Sequence, residues 1–203
     1  SMIPSAQVRG TVGQVALRSK GIDLCDENVD VSYALLQNAS LDGALNDTVP
    51  EATSTEKSRW KIALARLHVV NTSGLVHMPG DTLAVRCVLG DAVARNGQFD
   101  LEPQHFSLSR LDLKKGKICY DNRYAKPEAA GLDVNHLALS ALALRVDSFF
   151  YSPERLTMGI SKFSFREKCG FSLSDMSCRV LMDTARLNIP SLSIVTPASR
   201  MQA

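Results

Sequence analysis

The sequence predicts an all-β protein whose strands repeat one unusual pattern of apolar residues. Within 203 residues, sets of four apolar positions separated by two, three and two residues recur six times. A helix advances about 100° per residue, so the four positions would share no helical face. The only stretch with some helical character, residues 176–186, has apolar residues at alternate positions, which favours a strand.

Each of the six segments fits a strand that contains one extra residue. In a flat strand the first and second pairs of apolar residues would point to opposite faces, and a β-bulge in the middle gap returns all four to one face. The residue entering the gap is small or is proline, which suits a bulge. The segments and gap residues are 29–36 (Ser32), 62–69 (Ala65), 106–113 (Ser109), 137–144 (Ser140), 158–165 (Ser161) and 187–194 (Pro190). Strands buried on both faces, as in a sandwich core, are the alternative explanation.

The order of strands and breaks predicts a single repetitive domain. Residues 1–6 are expected to be a flexible start, with Ser1 and Met2 left over from cloning, and residues 7–203 to form one elongated β domain. Turns are expected at residues 18–21 and 71–74. Polar loops without periodicity are expected at 46–58 and 121–131.

An internal repeat supports stacked units of strands. Three short motifs begin with Gly21, Gly97 and Gly170, and each follows a charged segment expected to be a turn. The apolar stripe that begins at Ile62 also matches the one that begins at Leu137, at an offset of 75 residues. Repeats of this kind are typical of domains in which each group of strands mainly contacts its neighbours.

The composition excludes several classes of function. The chain is 45% apolar with a net charge of +2 and has no clustered basic segment, so we expect no nucleic-acid binding. Five cysteines show no CxxC spacing and are expected to be unpaired and mostly buried. The four histidines occur singly, and no catalytic or phosphate-binding motif is present. We therefore expect no enzyme activity, no metal and no cofactor.

Several stretches resemble a known family. Residues 132–151 read LDVNHLALSALALRVDSFFY, and residues 160–197 read ISKFSFREKCGFSLSDMSCRVLMDTARLNIPSLSIVTP. Within them, residues 134–151, 163–171 and 194–199 resemble motifs of TamB/AsmA-like proteins, the translocation and assembly module family, in the form found in Bacteroidetes-type bacteria. The earlier segment WKIALARLHVVNTSGLVHMPGDTL, from Trp60, is the expected counterpart. These motifs are structural rather than catalytic, and the resemblance points to the N-terminal periplasmic part of the family.

The resemblance implies an elongated, curled, antiparallel or mixed sheet, called β-taco-like, with an apolar concave face. It also implies a periplasmic segment of a protein anchored in the inner membrane, with the membrane helix and the C-terminal family domain outside these residues. The implied partners are phospholipid and, as a further expectation, outer-membrane assembly proteins.

An apolar groove could shield acyl chains without any catalytic group. The expected lipid-binding groove wall is Ile62, Leu64, Leu67, Val69, Phe106, Leu108, Leu111, Leu113, Leu137, Leu139, Leu142, Leu144, Phe163 and Phe165. Two alternatives remain open at this point. One is a scaffold or chaperone that pairs its sheet edges with strands of outer-membrane proteins, and the other is a secreted β-sandwich binding module.

Overall fold

The protein is all-β, as the sequence predicts, in a computed structural model that describes residues 2–50, 58–78, 82–129 and 131–202. Within these residues, twelve strands form one elongated mixed sheet. The strands are β1 (Met2–Asp23), β2 (Asn28–Pro50), β3 (Lys61–His77), β4 (Leu83–Asp100), β5 (His105–Leu108), β6 (Arg110–Asn122), β7 (His136–Ser152), β8 (Arg155–Glu167), β9 (Ser172–Leu173), β10 (Asp175–Asp183), β11 (Leu187–Val195) and β12 (Arg200–Gln202).

The strands follow one another across the sheet in nearly the order of the chain. The order is β1-β2-β3-β4-β5-β7-β8-β10-β11-β12, with β6 between β4 and β7 and with β9 beside β8. Among the described pairs, β2 and β3 are parallel and the others are antiparallel. The sandwich alternative required two sheets, whereas the described strands belong to one.

Extra residues occur where the spacing predicts them in β2, β8 and β11. Ser32 is skipped in the β1–β2 ladder, and Ser161 is skipped in the β7–β8 ladder. In the β10–β11 ladder, Ile189 and Pro190 together stand opposite Val180. All three are β-bulges, in which two residues of one strand oppose one residue of its partner.

Three neighbouring strands are interrupted at the same level, which we call the first bulge line. It consists of Ala65 on β3, Asn96 on β4 and Ser109 between β5 and β6. By register, Asn96 stands opposite both of the others. Asn96 has a φ of 49°, and Ser109 is a bend that separates β5 from β6. Because β4 and the β5–β6 junction are irregular at the same level, β5 and β6 pair with β4 in one unbroken register on either side of it.

A second bulge line lies about six residues along the strands from the first. It contains four residues with positive φ: Asn38 (54°), Asn71 (48°), Lys115 (56°) and Ala141 (51°). On β4 the corresponding residue is Gly90, where an added Cβ would lie 2.7 Å from the Cβ of Lys115. On β7 the positive φ falls at Ala141, one residue after the predicted gap residue Ser140.

Several predicted turns and loop boundaries are wrong. Residues 18–21 lie within β1 and residues 71–74 lie within β3. Both segments stay in the sheet because the neighbouring strands resume pairing with them after the irregular residues. β2 continues to Pro50, so residues 46–50 of the loop expected at 46–58 are strand, and residues 51–57 lie outside the described residues. The second loop follows the end of β6 at Asn122.

The predicted repeat does not describe equivalent positions. β3 and β7 run in opposite directions across the sheet, so Ile62 and Leu137, although both are near the start of their strands, lie beyond opposite bulge lines. Gly21 and Gly97 lie within β1 and β4, whereas Gly170 lies in a turn with a φ of 97°. The shared spacing therefore does not place the two stripes at the same level of the sheet.

The buried apolar cluster is small and lies near the middle of the sheet. Ala92, Leu113 and Leu142 form it, and Val69 and Phe163 are among the half-buried residues packed against it. Among the described residues, no large side chain is completely buried. The single sheet explains this, because the described strands form no second sheet that could cover the central residues.

The cysteine prediction is partly wrong. All five cysteines are free, but Cys25, Cys119 and Cys169 are exposed, and Cys87 and Cys178 are half-buried. They are therefore unpaired thiols, as expected, but they are not core residues.

Candidate functional site

The register brings apolar residues from most strands into continuous rows. We call a row a set of residues that are directly paired across successive strands, whose side chains lie on the same side of the sheet. The Phe106 row crosses nine strands and contains Ile22, Val29, Ile62, Phe99, Phe106, Tyr151, Leu156, Met182 and Leu187. Every member of this row is apolar or aromatic.

Two further rows lie between the bulge lines. The Leu111 row contains Leu17, Ala34, Leu67, Ala94, Leu111, Val146, Ile160, Cys178 and Leu192. The Leu113 row contains Val15, Leu36, Val69, Ala92, Leu113, Leu144 and Phe163. Neither row contains a charged residue, and the second includes most of the buried cluster.

The structure distributes the fourteen predicted groove residues over several rows. Ile62 and Phe106 share the Phe106 row, Leu67 and Leu111 share the Leu111 row, and Val69, Leu113, Leu144 and Phe163 share the Leu113 row. Leu64 pairs with Gly97, and an added Cβ on Gly97 would touch Leu108. Leu142 belongs to the buried cluster, and Phe165 packs against it. Leu137 and Leu139 pair with Tyr120 and Ile118, beyond the second bulge line.

Sequence reasoning missed a second stripe on β7. Leu144, Val146, Phe149 and Tyr151 also have the two, three, two spacing, and they cross the first bulge line. The three adjacent aromatic residues at this strand end obscured the pattern. Tyr151 stacks on Phe106 with ring centroids 5.8 Å apart and an angle of 11° between the rings.

The predicted groove residues are neither sealed nor fully exposed. Leu113 and Leu142 are buried, and the other twelve are half-buried. A closed core would bury most of its large side chains, as protein interiors are tightly packed. The rows therefore keep apolar surface that another apolar group could cover.

The positions that alternate with these rows carry charge. Arg66 pairs directly with Arg95, which pairs with Arg110. Arg110 Nε and Arg145 Nε each donate a hydrogen bond of 2.7 Å to the Asp112 carboxylate. The hydrogen bond from Arg110, with a further contribution from Arg145, holds the pKa of Asp112 below its usual value.

On the side of the sheet that carries these charged residues, His68 Nε2 lies 2.8 Å from Asp91 Oδ1. His68 and Val93 are directly paired between the Leu111 and Leu113 rows. Because His68 alternates with the stripe residues Leu67 and Val69, it faces the side of the sheet opposite to the apolar rows.

Hydroxyl and amide side chains bond the backbone and each other at the first bulge line. Ser109 Oγ donates to the carbonyl of Arg95 at 3.1 Å and accepts from Asn96 Nδ2 at 3.0 Å. On β2, Ser32 Oγ donates to the carbonyl of Arg18 at 2.9 Å. An interrupted ladder leaves backbone groups without strand partners, and short polar side chains can bond them locally. This explains why serine occupies several gaps.

Two buried carboxylates, those of Asp133 and Glu167, fasten the ends of strands. Asp133 accepts hydrogen bonds from the backbone of Glu128, Asn135 and His136, and the first of these contributes most to lowering its pKa. Glu167 accepts from the backbone N–H groups of Cys169 and Ala138, and hydrogen bonds from Cys169 lower its pKa most. Within the described ranges, no group of three His, Cys, Asp or Glu side chains could hold a metal ion.

Comparison of the chain with models of known protein families found no match, and comparison with curated proteins found no similar sequence. No helix long and apolar enough to cross a membrane occurs in the part of the chain that the structure describes.

Proposed function

We propose that this chain is a periplasmic segment of an inner-membrane-anchored lipid-transfer protein that contributes to outer-membrane biogenesis. Its task in this proposal is to shield phospholipid acyl chains along the Phe106, Leu111 and Leu113 rows. The observation that carries the proposal is the continuity of these rows, most of whose interior members are only half-buried in the single sheet that the described strands form. The sequence resemblance to TamB/AsmA-like proteins points the same way.

The two bulge lines supply a physical reason for a trough. A bulge bends its strand and increases the local twist. Because the first line runs through β3, β4 and the β5–β6 junction at one level, the bends add along a common axis. We propose that the sheet curls about both lines and that each extra residue returns the apolar rows to one concave face.

The dimensions of the rows suit hydrocarbon. Strands are spaced about 4.8 Å apart, so a row across nine strands is about 38 Å long. One acyl tail spans roughly half of a hydrocarbon core of about 30 Å. Burying a tail of about sixteen carbons stabilises it by about 13 kcal/mol before the loss of its conformational freedom, at about 0.8 kcal/mol per CH₂. No positioned polar group is needed.

Native mass spectrometry of protein purified without added lipid tests this proposal. We expect co-purified phospholipid on the wild type, much less on Leu111→Asp, and an unchanged amount on Val93→Asp. Val93 is the matched control because it is also half-buried but lies in the alternating position between His68 and Asp112. Circular dichroism must show that both variants are folded. A wild type without lipid, or equal losses in both variants, would contradict the proposal.

The scaffold function remains a second candidate because β1 offers a 22-residue open edge to a partner strand. In that case the partner is a strand of an outer-membrane protein, and charges placed in the apolar rows leave its binding intact. Binding that survives Leu111→Asp but is lost when the β1 edge is blocked would favour the scaffold.

A further inference from the structure

The sheet ends in a long open edge at β1. This strand spans Met2–Asp23 and is the terminal strand of the sheet beside β2. At the other end, β12 spans only Arg200–Gln202. Backbone N–H and C=O groups along the outer side of a terminal strand are a ready template for another strand.

The apolar rows reach this edge and stop there uncovered. Val15 ends the Leu113 row and is 66% exposed, and Leu17 ends the Leu111 row and is 63% exposed. Their neighbours on β2, Leu36 and Ala34, are half-buried. Exposure of these two side chains therefore reflects a missing neighbour on one side, which a further strand would supply.

The sequence of β1 is self-complementary about Ala16. An antiparallel copy centred there would place Val15 opposite Leu17, so that apolar residues meet apolar residues. It would place Gln14 opposite Arg18, and Gly13 opposite Ser19. Gly13 lies level with Asn38 of the second bulge line, and Ser19 lies at the register shift beside Ser32. The same surface on both partners is what a twofold-symmetric interface requires.

The complementarity continues toward both ends of the strand. In the same register Gly10 faces Ile22, so a small residue meets a large apolar one that is 60% exposed. Arg9 faces Asp23, and opposite charges directly across an antiparallel pair stabilise it. Since each contact occurs twice, the two copies gain two Arg–Asp pairs.

We propose that two copies of this chain associate through their β1 strands, antiparallel about a twofold axis at Ala16. The two sheets then form one continuous sheet, and the Leu111 row of one copy continues into the Leu113 row of the other. This association follows from the edge alone and does not depend on which ligand the rows bind.

Disulfide trapping tests the register. In a variant with the five free cysteines changed to serine, Ala16→Cys places the two thiols at the axis, where we expect a rapid disulfide-linked dimer. Val12→Cys is the control, because its two copies would be eight residues apart along the ladder, about 26 Å, and a disulfide needs Cα atoms within about 7 Å. Equal trapping at both positions, or none at Ala16→Cys, would overturn the proposal.

Sedimentation velocity tests the association without engineered thiols. We expect the wild type and Leu187→Lys to be dimers and Leu17→Lys to be a monomer. Leu187 is equally exposed, at 63%, but lies at the other end of the sheet. A monomeric wild type would overturn the proposal. Loss of the dimer in Leu187→Lys would also overturn it, because it would indicate head-to-tail pairing of β1 with the opposite end of the sheet. Failure of lipid binding leaves these outcomes unchanged, so the two proposals can fail separately.

Discussion

Asn96 Nδ2 donates a 3.0 Å hydrogen bond to Ser109 Oγ across two strands that are irregular at the same level. Asn96 adopts a positive φ and Ser109 forms a bend, and β4 pairs with β5 and β6 in the same register on either side of them. The pair shows how an extra residue can cross a sheet without breaking strand pairing. It is also the point at which the apolar spacing changes from two to three.

The left-handed backbone at Asn71 gives a test of the second bulge line. Asn71 has a φ of 48°, which β-branched residues adopt only at a cost of roughly 1–2 kcal/mol. We expect Asn71→Val to lower the free energy of unfolding by about that amount and Asn71→Gly to lower it by much less. Urea denaturation measures both. The exposed Asn188 of β11 is the control, since Asn188→Val should change stability by less than about 0.5 kcal/mol.

The Ser109 hydroxyl should stabilise the first bulge line measurably. Ser109→Ala removes its bonds to the Arg95 carbonyl and the Asn96 amide, and we expect a loss of about 1 kcal/mol. Ser191→Ala, on an exposed part of β11, should be nearly neutral. In a double-mutant cycle with Asn96→Gly, a coupling of at least about 0.5 kcal/mol is expected. Strict additivity would mean that the two side chains do not act together.

The acid dependence of stability should reflect Asp112. Its folded-state pKa lies below its usual value, so its contribution is present at neutral pH and is lost as the pH falls toward the folded pKa. We expect Asp112→Asn to be less stable than the wild type by about 1 kcal/mol at pH 7. The difference should shrink below about pH 4, where the carboxyl of the unfolded wild type becomes protonated, and should be lost as the pH falls further through the lowered pKa of folded Asp112. Urea midpoints between pH 2.5 and pH 7, compared with those of Asp26→Asn in an exposed turn, measure this. A difference that stays constant with pH would contradict it.

Phe106 on β5 and Phe150 on the neighbouring β7 should differ in their contributions to stability. Phe106 stacks on Tyr151 and lies within 6.2 Å of the Phe99 ring, whereas Phe150 is 38% exposed and pairs with Ser107. We expect Phe106→Ala to cost about 2 kcal/mol and Phe150→Ala less than about 1 kcal/mol. The reverse order, measured by denaturation, would mean that the Phe106 row is not the packed side at this end.

The all-β class and most bulge positions could be predicted because spacing along a strand is a local property. Ser32, Ser109, Ser161 and Pro190 all fall at interruptions of a ladder. Where two bulge lines cross one strand, however, the same spacing occurs around either line. The predicted stripe that contains Leu142 therefore spans the second bulge line, whereas those of β3 and of β5–β6 span the first.

The turn predicted at residues 71–74 is wrong because the neighbouring strand pairs with these residues. The motif at Asn71–Gly74 contains residues typical of turns, yet Thr72 and Ser73 pair with Leu89 and Val88 and the strand continues. A positive φ satisfies both a turn and a bulge, so sequence alone does not separate them. The parallel β2–β3 pair also could not be foreseen, because strand direction depends on partners distant in the chain.

Photocrosslinking along β3 tests most directly whether the apolar side of the sheet binds acyl chains continuously across the first bulge line. A photoreactive phenylalanine would replace one residue at a time from 62 to 69, and crosslinks to phosphatidylethanolamine vesicles would be scored by mass. We expect crosslinks at Ile62, Leu64, Leu67 and Val69 and none at Arg66 or His68. A strict alternation that includes residues 66 and 68, or crosslinks at every position, would contradict the account.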